Sequence, residues 1–242
     1  MNMNKLNIVI TAGGTTEHID AVRAITNTGT GTLASIIANK FVNSIFLNKI
    51  FYIHTKGAKL PKKTDQIEFI EVEDTESVKQ AVVKVLTENK IDWFIHAMAI
   101  SDYYVDFVTT VDNLFNVNAV SVNDFYGKAK ETKLDNSKKL SSNEDNLVVM
   151  LKKTPKIISL IKETSPETHL VGFKLLNNVT KDELIDVAYN LLVKNSCDYV
   201  VANDSTQITQ NMHIAHIINA KKEYTTVATN DAIAQALQHI IF

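Results

Sequence analysis

Apolar positions along the chain follow two alternating rhythms. Short runs at Leu6–Thr11, Lys49–His54, Ile67–Val72, Asp92–Ala97, His169–Phe173 and Asp198–Ala202 read as strands. Asp92–Ala97 is apolar enough to lie centrally in a parallel sheet. Between these runs the apolar residues take helical spacing. Leu33, Ile36, Ile37 and Phe41 share one face of Thr32–Val42, and Val78, Val82, Val85 and Leu86 share one face of Thr75–Glu88. Pro155–Glu163 and Thr180–Asn195 are further helices. Pro155 suits the first turn of its helix, and Thr180 with Glu183 forms a capping pattern. His213–Asn219 and Glu223–Val227 form a hairpin, and Asn230–Ile241 is a closing helix capped by Asn230 or Asp231.

Strand–helix alternation predicts an α/β fold. The expected form is a doubly wound, mostly parallel, Rossmann-like sheet with helices on both faces, in one domain over residues 1–242. Such sheets bind ligands at the carboxyl ends of their strands. Ser101–Val149 breaks the rhythm: it is polar, carries Lys128, Lys130, Lys133, Lys138 and Lys139, and has no clear period. A period returns only at Asn146–Lys152, and the stretch is expected to be an irregular insert at about 101–150, a lid, a partner-contact arm or a disordered segment.

Composition narrows the function classes. Apolar residues make up 45% and charged residues 21% of the 242 positions, the balance of a soluble globular protein with a full core. One cysteine, Cys197, excludes an internal disulfide framework and a cysteine-rich zinc site. A formal net charge of −2 does not suit a nucleic-acid protein, so an anionic ligand would need local groups. Met1–Lys5 is polar, Leu6–Ile10 is too short for a signal segment, and no window reaches a membrane span. These features point to a cytoplasmic protein.

Two loops carry candidate chemistry. Gly13-Gly14-Thr15-Thr16 follows a strand; its N–H groups could hold phosphate oxygens, or it could simply be a tight turn. It is neither of the common glycine-rich nucleotide signatures. Arg23-Ala24-Ile25-Thr26-Asn27-Thr28-Gly29-Thr30-Gly31 precedes a helix and reads as a second anion loop or as a solvated one. Arg23 is able to pair with a carboxylate or phosphate.

The stretch Ile10-Thr11-Ala12-Gly13-Gly14-Thr15-Thr16-Glu17-His18-Ile19-Asp20-Ala21-Val22-Arg23-Ala24-Ile25-Thr26-Asn27 resembles the opening of the phosphopantothenate–cysteine ligases. Four later segments match that family in order: His96-Ala97-Met98-Ala99-Ile100-Ser101-Asp102-Tyr103, Lys139-Leu140-Ser141-Ser142, Leu170-Val171-Gly172-Phe173 and Val201-Ala202-Asn203-Asp204. The likeness runs through essentially the whole chain. Many bacterial members are fused to a flavin-dependent decarboxylase half. This length has no room for one, and Lys139-Leu140-Ser141-Ser142 and Phe173-Lys174-Leu175-Leu176 resemble the monofunctional bacterial branch. A stand-alone ligase is therefore expected.

The resemblance implies a two-step reaction. The carboxylate of 4'-phosphopantothenate attacks the α-phosphate of a nucleotide and pyrophosphate leaves; the amine of L-cysteine then displaces the nucleoside monophosphate. CTP is the expected co-substrate, with ATP the eukaryotic counterpart. Mg2+ is expected on the phosphates, with no metal ligand assigned to the protein, and a homodimer is expected. By the same resemblance Asn27 holds the acyl group, with Arg23, Gly13 and Gly14 at the substrate, and Lys139 (or its neighbour Lys138) neutralises phosphate charge from a lid. His96, Ala97, Met98, Asp102, Pro155, Lys156, Ile157, Ile158 and Phe173 line the nucleotide pocket, and Lys194, Asn203 and Asp204 are further candidates. His96 also reads as a structural residue, since no partner ligand stands at metal spacing.

Two rival readings have different chemistry. Tyr126-Gly127-Lys128-Ala129-Lys130 spells the Tyr-x-x-x-Lys of short-chain nicotinamide-dependent oxidoreductases. Against it, the first loop lacks the spaced glycines, and the tyrosine is expected in the polar insert rather than on a helix with an apolar face. A non-catalytic nucleotide-binding module is the other rival.

Overall fold

The computed structural model describes residues 5–242. In chain order its strands are β1 (Leu6–Ala12), β2 (Thr16–His18), β3 (Ala24–Thr26), β4 (Leu47–Thr55), β5 (Ile67–Val72), β6 (Trp93–His96), β7 (Tyr103–Thr110), β8 (Leu147–Lys153), β9 (His169–Leu176), β10 (Tyr199–Ile208), β11 (His213–Asn219) and β12 (Tyr224–Val227). Its helices are α1 (Thr32–Phe41), α2 (Thr75–Glu88), α3 (Val111–Phe115), α4 (Val122–Glu131), α5 (Ile157–Thr164), α6 (Lys181–Asn195) and α7 (Asn230–Ile241).

Eight strands form the main sheet in the order β12-β11-β10-β9-β6-β1-β4-β5. The pairs from β5 through β10 are parallel, and β11 and β12 add antiparallel to that edge. Strand alternation sends side chains to two cores. Val9, Phe51 and Ile53 face a core shared with α2, α5 and α6, while Ile8, Ile10, Ile50 and Tyr52 face one shared with α1 and α7. Chain order reverses between β1 and β6, so their carboxyl ends open the crevice in which such sheets hold ligands. The expected α/β fold is the fold observed.

Three local expectations change. Ser101–Val149, expected to be irregular, contains β7, α3 and α4, and β7 pairs with β8 as a separate antiparallel ribbon. Its polar helix is short, and burial along its strands is graded from end to end rather than alternating, so neither shows a strong apolar period. Pro155 lies ahead of the helix rather than in its first turn, because the N-cap of α5 is Lys156. The cap of α7 is Thr229, whose hydroxyl accepts from the Ala232 N–H, leaving Asn230 and Asp231 inside the first turn. Thr180 does cap α6, accepting from the Glu183 N–H.

Candidate active site

The Gly13-Gly14 loop does not run straight into a helix, as a simple strand–turn–helix would. It leads into β2, which folds back on β3, so that Thr16 stands opposite Thr26. This ribbon carries Asn27 back beside the loop it came from. Asn27 donates its backbone N–H to Thr15 O at 3.0 Å, and its carboxamide donates to Ala99 O at 3.2 Å. Ala99, just beyond β6, donates to Gly13 O at 2.9 Å and accepts from the Thr15 N–H at 3.1 Å. Three segments distant in sequence thus meet in one backbone seam at the switch point.

Glycine is required on that seam. Gly13 has φ of 97°, and a Cβ there would stand 2.1 Å from the Thr55 hydroxyl. A Cβ on Gly14 would stand 2.0 Å from the backbone oxygen of Asn27. Threonine hydroxyls fasten the neighbouring turns. Thr15 accepts from the Ser101 N–H at 2.8 Å, and Thr154 donates to Ser101 O at 2.6 Å.

Two adjoining cavities flank the seam. The larger, about 600 Å³, is bounded by Gly13, the Thr28–Ala34 segment, Ala97–Ile100, Lys174 and Asn203. Helix α1 points its N-terminus at this cavity from Gly31, a left-handed residue with φ of 69° and no side-chain cap; Thr32 N–H meets the Thr30 hydroxyl, and the Leu33 and Ala34 N–H groups are open to an anion. The smaller, about 310 Å³, is bounded by His96, Ser101, the Thr154–Ser159 segment, Lys194 and Asn195. Met98, Ile100, Asp102, Phe173 and Leu191 border both. Lys156, Lys194 and Lys174 against the single carboxylate of Asp102 make the combined lining cationic.

His96 is buried and uncharged in function. Its Nδ1 lies 3.1 Å from the Thr11 hydroxyl, which itself accepts from the Met98 N–H at 3.1 Å. The hydroxyl proton is free to go to Nδ1, the arrangement that leaves the ring hydrogen on Nε2. Burial pushes the imidazole pKa down to about 4.

The expected site residues divide three ways. His96, Ala97, Met98, Asp102, Pro155, Lys156, Ile157, Ile158, Phe173, Lys194, Asn203 and Gly13 line the cavities. Gly14 and Asn27 form the seam beside them. Arg23, Lys138 and Lys139 line neither cavity. Arg23 is turned onto Asp20, with Nη2 at 2.5 Å, and Lys139 is exposed. Asp102 forms an ion pair with Lys156. Asp204 is not open to a ligand: its carboxylate accepts from the N–H groups of Asn178, Val179 and Thr206 and from the Thr206 hydroxyl, which hold its pKa well below the usual range. Asn203 donates to His213 Nε2 at 2.7 Å, and His213 Nδ1 lies 2.6 Å from Asn230 Oδ1. Asn230, His213 and Lys174 border the larger cavity and are not among the expected site residues: Asn230 reads as a helix cap, Lys174 as part of a branch motif, and no local pattern marks His213.

Tyr126 and Lys130 lie in the insert, as expected, on a helix, α4, that has no apolar face and buries only Ala129. Both bond to Asp106 of β7, and neither borders the two cavities. Among the described residues no three His, Cys, Asp or Glu side chains are grouped to hold a metal. No helix among them is long and apolar enough to cross a membrane.

The sequence profile of the DNA/pantothenate metabolism flavoprotein C-terminal domain matches residues 3–111 and 108–242. The chain belongs to this family. Among curated members it is 31% identical over 198 residues to the coenzyme A biosynthesis bifunctional protein CoaBC of Thermococcus kodakarensis, covering 81% of this chain and 40% of that one. The Bacillus subtilis CoaBC is 25% identical over 198 residues, with 82% of this chain and 40% of that one covered. The chain thus spans about 40% of the length of these curated relatives.

Among solved structures, the DNA/pantothenate metabolism flavoprotein from Streptococcus pneumoniae superposes with a TM-score of 0.86 at 35% identity, over 98% of each chain. A Cab2 mutant in complex with phosphopantothenate-cysteine superposes with a TM-score of 0.65 at 15% identity, over 98% of this chain and 87% of that one, a likeness of fold.

Proposed function

We propose that this family member is a phosphopantothenate–cysteine ligase of coenzyme A biosynthesis. The observation that carries the reading is the seam. It sets an uncharged carboxamide, Asn27, against the Gly13–Gly14 loop and Ala99, beside two cavities whose combined lining is cationic, at the switch point.

A carboxylate resists acylation of an amine until one of its oxygens becomes part of a good leaving group. In the first step a carboxylate oxygen of 4'-phosphopantothenate bonds to the α-phosphorus of the nucleotide, and the bond to pyrophosphate breaks. In the second the cysteine nitrogen bonds to the acyl carbon, the acyl carbon–oxygen bond breaks, and the nucleoside monophosphate leaves; the amine proton passes to solvent. Both steps depend mostly on positioning and on neutralising phosphate charge. The base and ribose fit the smaller cavity between Phe173 and Pro155–Ile158. The phosphates extend toward Lys174 and the N-terminus of α1. A neutral His96 presents an N–H donor there without adding charge. Asn27 keeps one amide N–H on Ala99, leaving its carbonyl and second N–H for the acyl group.

CTP is the proposed nucleotide. Mg2+ fits this site as an ion carried in by the triphosphate, because the lining supplies one carboxylate, Asp102, rather than a cluster. Bound there, it would offset phosphate charge. A homodimer belongs to the same reading. The arm built from β7, α3, α4 and β8 leaves Phe115, Val120 and Val122 exposed, apolar groups suited to covering one another between two copies.

The test is pyrophosphate release with CTP and ATP in parallel, omitting phosphopantothenate or cysteine in turn. Release is expected to require both nucleotide and phosphopantothenate, and product to require cysteine as well. Asn27→Asp removes the donor to Ala99 and sets a negative charge beside an anionic intermediate; amide formation is expected to fall about a hundredfold. Product formation at the wild-type rate by that variant, or pyrophosphate release indifferent to phosphopantothenate, rejects the reading.

A further inference from the structure

Asp20, the carboxylate of the turn that joins β2 to β3, is 2% exposed. It accepts five hydrogen bonds. Two come from its own turn, the N–H groups of Val22 at 2.9 Å and Arg23 at 2.8 Å. Two come from the Arg23 guanidinium, Nε at 2.9 Å and Nη2 at 2.5 Å. The fifth comes from 120 residues away, the N–H of Leu140 at 3.1 Å. The same guanidinium reaches Leu140 O at 3.3 Å, and Asn136 donates its carboxamide to Ile19 O at 2.9 Å. Leu140 itself is buried, whereas Lys138 and Lys139 before it are exposed. The segment 136–140 is therefore tied at three points to the turn that leads into Asn27.

A buried carboxylate with this many donors has two separate tasks here. It cancels part of the Arg23 charge and fixes the orientation of the guanidinium, whose outer edge stays half-exposed. It also holds the backbone of Leu140, and so sets how far the two lysines stand from the seam. We propose that Asp20 is a positioning residue that couples the Lys138–Lys139 segment to the Arg23–Asn27 loop, so that the two cationic elements approach the acyl-transfer site as one unit. This deepens the ligase reading and rests on it for its kinetic consequence. The coupling itself is a property of the chain, readable without turnover.

The experiment is hydrogen–deuterium exchange over residues 132–146 of the full chain, with steady-state kinetics run beside it. Asp20→Asn keeps the volume but loses the charge that Leu140 N–H and Arg23 both meet. Exchange in this window is expected to rise about tenfold or more, the equivalent of one charge-assisted hydrogen bond, while β1 and β6 keep their protection. In kinetics kcat is expected to fall about tenfold with KM for the nucleotide changing less, since the phosphates contact the cavities rather than Asp20. Asp20→Glu retains the charge and is expected to recover part of both effects. If Asp20→Asn fails to fold, Asn136→Ala carries the test, because it removes only the tie to Ile19 O and is expected to raise exchange in the same window alone. Wild-type protection of 132–146 in Asp20→Asn, or in Asn136→Ala where that variant carries the test, overturns the proposal. So does protection lost equally from the central strands. If wild-type protein releases no pyrophosphate with any nucleotide, the ligase reading fails while the exchange result still decides the coupling.

Discussion

The seam at Gly13, Asn27 and Ala99 and the arm formed by β7, α3, α4 and β8 hold their shapes by different means. On the seam the backbone carries the geometry: carbonyls and N–H groups of three distant segments exchange hydrogen bonds, and two glycines stand where no Cβ fits. On the arm a regular β7–β8 ladder makes the frame, and side chains fasten α4 to it. Asp106, nearly covered, binds Tyr126 and Lys130, while Phe115, Val120 and Val122 stand 87%, 94% and 84% exposed. Added volume should therefore be ruinous in the first region and harmless in the second, and acid should reach the first region sooner.

The largest effect is expected at Gly14. In Gly14→Ala the new methyl collides with backbone that has no rotamer to escape by, costing about 3 kcal/mol of stability and most of the activity. Urea unfolding and the pyrophosphate assay check it; a variant as stable and active as wild type would break the contrast.

Next comes pH. His96 has a folded pKa of about 4, lowered by burial from its ordinary 6.5. Because the unfolded chain binds this proton more readily, the stability linked to the neutral ring is complete above pH 6.5 and is lost as pH falls through 4. The loss at pH 4 is on the order of 3 kcal/mol. Burial alone would raise the Asp106 pKa, but its hydrogen bonds to Lys130 and Tyr126 outweigh that and lower it. Its contribution is present above the ordinary carboxylate value and is lost only below it. Between pH 6.5 and 4 the seam should weaken while the arm holds, which denaturation across that range with exchange at the two regions would show. Stability that stays flat down to pH 4 would refute the placement of His96.

The smallest effect is on the arm. Gly127 lies inside α4, and a Cβ there meets nothing within 4 Å. Gly127→Ala is expected to gain about 0.5–1 kcal/mol from helix propensity alone, read as a small rise in Tm. A destabilised variant would mean that α4 is packed against something in solution, such as a second copy of the chain.

The same contrast sets what the sequence discloses. The main sheet is legible because each strand and helix buries a face, so the period of Val78, Val82, Val85 and Leu86 or the apolar run Asp92–Ala97 announces its element. The α4 helix buries only Ala129 and so leaves little trace of its period. Within the site, Gly13 and Gly14 read from sequence equally well as a phosphate loop or a tight turn, and Asn27 is marked only by the family resemblance. Glu17 and Asp20 are not among the expected site residues, although one accepts the Thr75 N–H at the start of α2 at 3.0 Å and the other clasps Arg23 and Leu140. An acidic residue on a polar loop looks solvated until the donors that surround it, 58 and 120 positions away, are brought to it by the fold.

Activation of a carboxylate through the α-phosphate is the central chemical claim. Phosphopantothenate labelled with 18O in its carboxylate tests it most directly, with the nucleotide products examined by mass spectrometry after a single turnover. One labelled oxygen is predicted in the nucleoside monophosphate, since the acyl carbon–oxygen bond breaks when cysteine attacks. Label in orthophosphate, or a monophosphate free of it, would contradict the account.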